Sequence, residues 1–160
     1  MKIILLQNVS DTMIQLYTDE ESNIVYTSWV LKLNKDTRQR KNKSGEIKTY
    51  NSYFTSFPQE LYDFFNINDE TLYLVKDYNI KSDVIITDTE PTLPVNYVPV
   101  KLITRRKNQN RKNRIPTTSF ILSKNIFKNL ETCNKVRFTL YPNSKERYRN
   151  KLGKITIEII

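Results

Sequence analysis

Three segments of the chain concentrate side chains that can bind anions. Residues 35–48, KDTRQRKNKSGEIK, carry six basic and two acidic residues, and residues 101–114, KLITRRKNQNRKNR, carry seven basic residues and no acidic one. Residues 145–154 carry five basic and one acidic residue. The whole chain has a formal net charge of +9, so the sequence outside these segments is acidic on balance. This segregation of positive charge indicates a polyanionic partner.

The first two basic segments also mix arginine with asparagine. These side chains bridge phosphates and hydrogen-bond to base edges in duplex DNA. A single charged run is more commonly a solvated face, but two runs at equivalent places favour binding. The candidate DNA-binding residues are Arg38, Arg40, Lys41, Lys43, Arg105, Arg106, Lys107, Arg111, Lys112 and Arg114. Three aromatic residues, Tyr50, Tyr53 and Phe54, follow the first segment, and their place in a predicted strand favours packing over base stacking.

The sequence has few of the residue types on which most catalytic and metal sites depend. The chain has no histidine, one cysteine (Cys133) and two glycines. This composition excludes an internal disulfide framework and leaves almost nothing for a zinc site, a histidine-based triad or a glycine-rich phosphate loop. The acidic residues at 19–21 and 83–90 cluster near predicted turns, where solvation is the ordinary explanation. We expect a protein that is not an enzyme and that binds no cofactor or metal.

The basic segments lie between β-like runs rich in Val, Ile, Thr, Tyr and Phe. Ten strands are predicted, at residues 2–6, 13–18, 24–33, 47–57, 71–76, 84–87, 97–104, 115–122, 135–141 and 154–160. Two short helices are predicted at 58–65 and 123–130, because Pro58 suits a first helical turn and Ser123 an N-cap. Each helix carries an apolar stripe at helical spacing. The stripe residues are Leu61, Phe64 and Phe65 in the first, and Ile126, Phe127 and Leu130 in the second.

The order of elements suggests an internal duplication. Aligning Pro58 with Ser123 places Leu61 on Ile126, and a one-residue slip then places LYLV at 72–75 on VRFT at 136–139. Each predicted helix follows a strand, a basic loop and a second strand, and precedes two more strands. We therefore predict a hairpin extension at 1–23, a first repeat at 24–90 with basic loop 35–48, a proline-containing connector at 91–99, and a second repeat at 100–160 with basic loop 105–114.

The run FPQELYDFFNINDETLYLV at 57–75 resembles the AbrB/MazE-type swapped-hairpin (SpoVT-AbrB-like) DNA-binding domain. In that family a strand ending in Ile-Pro is followed by x-Glu-Leu, a short helix, an x-Ile pair, an acidic turn and a closing strand. The matching positions are Phe57, Pro58, Glu60, Leu61, Phe65, Ile67, Asp69 and the strand from Leu72. The second copy departs from the pattern: Ser123 replaces the proline, Asn125 the glutamate and Thr132 the isoleucine. Family members usually carry glycines at the tight turns, and this chain has only two glycines.

The resemblance implies a mainly β fold with two short helices. Two β-β-α-β-β units in one chain would form the small β-barrel that ordinary members build as a dimer, and the two basic loops would project as a pair of arms. It further implies a small transcriptional regulator that binds duplex DNA. The chain would be a monomer with a pseudo-twofold axis or a homodimer.

Two other classes of function fit the same residues. The Lys-, Asn- and Ile-rich composition suits an AT-rich phage or plasmid, so the basic arms could engage an acidic host protein and inhibit a nucleic-acid enzyme. Basic loops on a small barrel suit RNA or ribosome binding equally well. The N-terminal MKIILLQNVSD is too short for a signal sequence or a membrane span, which predicts a cytoplasmic protein with no membrane partner.

Overall fold

The chain folds into two antiparallel β-sheets. The computed structural model describes residues 2–9, 12–21, 23–58, 60–61, 72–76, 84–92, 96–100, 103–105, 117–146, 149–150 and 152–160. Within them the strands are β1 (Lys2–Val9), β2 (Thr12–Thr18), β3 (Ile24–Lys32), β4 (Asn34–Lys41), β5 (Ile47–Ser56), β6 (Leu72–Lys76), β7 (Val84–Thr87), β8 (Asn96–Val100), β9 (Ile103–Arg105), β10 (Thr117–Leu122), β11 (Lys135–Tyr141) and β12 (Lys154–Ile159). The predicted mainly β fold is confirmed.

The two sheets are open in the described part of the chain. The larger has eight strands in the order β1-β2-β3-β11-β12-β7-β6-β8, and the smaller has four in the order β4-β5-β10-β9. The predicted closed barrel is therefore wrong for these residues. Closing the larger sheet would require its edge strands, β1 and β8, to pair, and the described residues show no such pairing. Residues 96–99 of the predicted connector belong to strand β8, which pairs with β6.

The strand order has an internal symmetry. If each of the strands β3 to β7 is exchanged with the strand five places later, so that β3 is exchanged with β8 and β7 with β12, the run β3-β11-β12-β7-β6-β8 becomes its own reverse. The order β4-β5-β10-β9 behaves in the same way. The register follows the same rule. Trp29 of β3 lies opposite Phe138 of β11, and the strands that take their places, β8 and β6, pair Val98 with Leu74. Four pairings join the two sets of strands, namely β3–β11, β6–β8, β5–β10 and β7–β12, and the last two each pair a strand with its own counterpart.

An aromatic cluster lies where the two sheets meet. Phe57 stacks on Phe120 with ring centroids 5.5 Å apart, and Phe138 meets both rings edge to face at 5.6 and 5.8 Å. Phe120 and Phe138 are fully buried. Edge-to-face aromatic contacts add to the free energy gained by burying the rings. The cluster therefore fixes the smaller sheet on the larger one.

The predicted helix at 123–130 is wrong. Ser123 caps the turn as expected, since its hydroxyl accepts a hydrogen bond from the Asn125 amide at 3.3 Å and its carbonyl accepts from Ile126 and Phe127. The chain then continues as turns. Two helical turns gain too few hydrogen bonds to offset nucleation, so burial of the apolar side chains decides the conformation. Ile126, Phe127 and Leu130 are buried, as the stripe predicted.

Most of the other predicted helix, at 58–65, lies outside the described residues. Glu60 and Leu61 have helical backbone conformation, and Leu61 is fully buried. In the part of the chain that the structure describes, no helix is long and apolar enough to cross a membrane.

Substitution of the two glycines should lower the stability of the protein by different amounts. Both have positive φ angles, 83° at Gly45 and 121° at Gly153. A Cβ at Gly153 would clash with the Tyr141 carbonyl oxygen, whereas a Cβ at Gly45 would meet nothing within 4 Å. We expect Gly45→Ala to lower the free energy of unfolding by about 1–2 kcal/mol, the cost of the left-handed conformation. Gly153→Ala adds overpacking and should cost about 3 kcal/mol or more. Urea denaturation of both variants tests this, and equal losses would contradict it.

Candidate nucleic-acid interface

The first basic segment is a two-stranded ribbon and not the loop predicted at 35–48. β4 pairs with β5 from Asn34↔Phe54 to Lys41↔Ile47, and residues 42–46 form the turn. The turn is closed by hydrogen bonds from the Asn42 amide to the Glu46 carbonyl at 2.8 Å and from the Gly45 amide to the Asn42 carbonyl at 2.9 Å. Sequence pattern missed β4 because neither face of this strand is buried, so no apolar alternation marks it.

This ribbon projects beyond the body of the protein. β10 pairs with β5 only from Tyr53 to Ser56. Among the described residues, Ile47–Ser52 therefore pair with β4 alone. Six residues of antiparallel strand span about 20 Å. We call residues 36–52 the β4–β5 ribbon.

The ribbon has two faces of different chemistry, because successive side chains of a strand point to opposite sides. Cross-strand register assigns the outer face to Asn34, Asp36, Arg38, Arg40, Lys48, Tyr50, Ser52 and Phe54. It assigns the inner face to Lys35, Thr37, Gln39, Lys41, Ile47, Thr49, Asn51 and Tyr53. Both faces thus carry basic groups, and only the inner one continues into the core, through Tyr53.

Side-chain contacts order parts of both faces. On the outer face, the Arg38 Nε lies 3.0 Å from the Asp36 Oδ2, and these side chains are 67% and 39% exposed. On the inner face, the Thr37 hydroxyl donates to the Asn51 Oδ1 at 3.0 Å. Lys35 lies over the Tyr53 ring, with its Nζ 5.9 Å from the centroid.

The predicted site residues divide into a described and an undescribed set. Arg38 and Arg40 lie on the outer face, Lys41 lies on the inner face, and Lys43 lies in the turn. Arg105 ends β9, opposite Thr117. The remaining five lie outside the described residues: Arg106, Lys107, Arg111, Lys112 and Arg114.

The two basic segments leave the smaller sheet at opposite ends. Ser119 of β10 lies opposite Ser56, the last residue of β5, whereas the 42–46 turn precedes the first residue of β5. The part of the second basic segment predicted as a loop, 105–114, starts at the last residue of β9, beside the beginning of β10. Its starting point is therefore about 30 Å from the 42–46 turn, the length of β5.

The three aromatic residues that follow the first basic segment lie in different environments. Tyr53 is 2% exposed, as the prediction of a packing role requires, but Tyr50 is 50% exposed and lies on the outer face with Phe54. Ile121 of β10 lies opposite Phe54 and is 45% exposed. Strand alternation could have separated Tyr53 from the other two once β5 was placed. Lys48, exposed beside Arg40, is a further basic residue that the prediction omitted.

Other charged groups highlighted by the sequence have structural contacts. The Asp19 carboxylate accepts hydrogen bonds from the Glu21 and Asn23 amides in the β2–β3 turn. The hydrogen bond from the Asn23 amide is the main cause of the lowered pKa of Asp19. In the third basic segment, the Lys154 Nζ lies 2.8 Å from a Glu146 carboxylate oxygen, and the Lys154 side chain is only 9% exposed. The contacts of Asp19 and Lys154 thus stabilise local structure.

The exposed pair on the outer face should add little to stability. Surface ion pairs contribute about 0–1 kcal/mol. We expect Asp36→Asn and Arg38→Ala each to change the free energy of unfolding by less than about 1 kcal/mol. Thermal unfolding measured by circular dichroism tests this. A larger loss would mean that the pair supports the ribbon itself, and effects of these variants on binding could then not be separated from unfolding.

Comparison with known proteins adds no identification to this geometry: no family model, no curated protein and no solved structure matches the chain.

Proposed function

We propose that this protein is a non-enzymatic DNA-binding protein that inserts the β4–β5 ribbon into a groove of duplex DNA. The main observation that supports the proposal is a basic two-stranded ribbon that extends about 20 Å past β10. The major groove of B-DNA admits a two-stranded β-ribbon. Regulation of transcription is the role that the sequence resemblance implies for such a protein.

The ribbon carries groups for both kinds of contact with DNA. Arg40, Lys41 and Lys43 are exposed around its tip and suit phosphate oxygens. Gln39 and Asn51 on the inner face have amides of the type that pairs with adenine. The hydrogen bond from Thr37 to Asn51 restricts the Asn51 amide to one orientation before DNA arrives. Side-chain entropy lost on binding is correspondingly smaller.

We also propose that the chain is a tandem duplication with interleaved halves. The exchange symmetry of the strand order supports this, as does the register at the β5–β10 pairing. There Thr55 lies opposite Phe120, and the pairs on either side, Ser56↔Ser119 and Phe54↔Ile121, exchange with each other. In a duplication of this kind, the second basic segment at 105–114 is the counterpart of the ribbon. One chain would then offer DNA two basic elements.

Salt dependence of DNA binding tests the proposal. We expect a band-shift titration with random-sequence duplex DNA to show affinity that falls steeply with salt, by about 0.9 in logarithmic slope per phosphate contact. The triple variant Arg40→Ala, Lys41→Ala, Lys43→Ala should weaken binding and reduce that slope by about two to three units. Absence of binding even at low salt would refute the proposal.

A matched control removes the same charge elsewhere. Lys32, Lys128 and Lys135 are exposed and lie outside the ribbon and outside the three basic segments. Their triple replacement by alanine should leave the slope closer to that of the unmodified protein than the ribbon variant does. An equal loss in both variants would mean that net charge and not the ribbon drives binding. Stronger binding to duplex RNA, or retention of a stoichiometric acidic protein after nuclease treatment, would favour the other classes of partner.

A further inference from the structure

The outer face of the ribbon exposes apolar surface that phosphate binding does not use. Tyr50 and Ile121 are half exposed, although most other large apolar side chains of the described residues are buried. Together with the half-buried Phe54, they lie on the same face as Arg38 and Arg40. An exposed apolar patch edged by charged groups commonly marks a binding surface.

Cross-strand register sets the layout of this surface. Arg38 lies opposite Tyr50, and Arg40 lies opposite Lys48 nearer the turn. Phe54 lies between Asn34 on β4 and Ile121 on β10. Tyr50 and Phe54 are four residues apart on one strand, a separation of about 13 Å. The outer face therefore carries two aromatic positions. Arg38 lies beside Tyr50, and Arg40 and Lys48 lie between Tyr50 and the turn.

These side chains line an open groove of about 440 Å³. Its walls include Arg38, Arg40, Tyr50, Phe54 and Ile121. The volume falls within the range of about 300–1,000 Å³ found for ligand pockets. Phe54 and Ile121 lie at the end of this face nearer β10, Tyr50 lies farther along the ribbon beside Arg38, and Arg40 lies nearer the turn. The groove therefore offers both flat apolar and cationic groups, which suits a polymer of flat rings joined by phosphates.

We propose that this groove binds unpaired bases of single-stranded nucleic acid. A base in a duplex is stacked between its neighbours and cannot offer its face to a side chain, whereas an unpaired base can stack on an aromatic ring. Tyr50 stacks on one base while Arg38 contacts the adjoining phosphate. Phe54 and Ile121 receive a second base, and Arg40 and Lys48 hold phosphates toward the turn.

The inference rests on the part of the proposed function that assigns Arg40 to phosphates, and it adds Arg38 and a class of ligand. Because both ligands use Arg40, single-stranded and duplex nucleic acid should compete for the ribbon. Asp36 lowers the affinity for either one, since its carboxylate pairs with Arg38 and repels phosphate.

Fluorescence anisotropy with labelled oligothymidylate, oligouridylate and a duplex DNA of random sequence tests the inference. We expect Tyr50→Ala to weaken binding of both single strands roughly five- to 150-fold, the range that follows from the loss of one base-stacking contact. The salt dependence should be unchanged, because no charge is removed. Tyr50→Phe should retain most of the affinity. Asp36→Asn should strengthen binding.

The matched control is Ile47→Ala, which removes an exposed apolar side chain from the inner face of the same ribbon. It should leave single-strand affinity unchanged. If Tyr50→Ala binds single strands as well as the unmodified protein does, the inference is overturned even when duplex binding holds. If single strands bind in a Tyr50-dependent way and the duplex does not bind, the inference stands and the proposed duplex function fails. Binding to none of the three probes overturns both.

The two oligomers separate the possible sources of the strand. A preference for oligouridylate or for oligothymidylate identifies RNA or DNA, and in either case dependence on Tyr50 supports the inference.

Discussion

The pairing of β5 with β10 is the contact on which the rest of the structure depends. It brings Thr55 opposite Phe120, and the Phe120 ring then joins the aromatic cluster that fixes one sheet on the other. The Thr55 hydroxyl donates to the Lys32 carbonyl at 3.0 Å, next to the point where the chain passes from the larger sheet to the smaller. The side chains of Thr55 and Phe120 are both fully buried. Since β10 covers only the last four residues of β5, the same pairing leaves the β4–β5 ribbon uncovered.

Among the described residues the ribbon has no third strand, so it exposes a β edge, and its charge opposes pairing of that edge with other chains. β4 carries Lys35, Arg38, Arg40 and Lys41 among its eight residues. Charged side chains on an edge strand oppose edge-to-edge aggregation. Because these groups lie in water, they add little to stability. The positive charge therefore permits an exposed ribbon and is the same charge on which the proposed binding of a polyanion depends.

How much the sequence predicted depends on whether a side chain was buried. Strands that contribute to the core, such as β3, β6 and β11, were found close to their true limits, since burial leaves an apolar pattern. β4 has no buried residue and could not be recognised, so the candidate arginines were placed in a loop and not on a face. The spacing of Ile126, Phe127 and Leu130 predicted their burial correctly but not their backbone, because a short buried turn needs the same apolar residues as a short helix.

The antiparallel pairing at the centre also limits what kind of partner can use both basic segments. Strands that run in opposite directions start at opposite ends, so the 42–46 turn and the end of β9 are separated by about the 30 Å length of β5. A small anion cannot reach both places at once. A polymer with regularly spaced phosphates can, and each additional contact then forms within an existing complex, which raises affinity without new surface. The geometry thus favours a nucleic acid over a nucleotide or a small anionic metabolite.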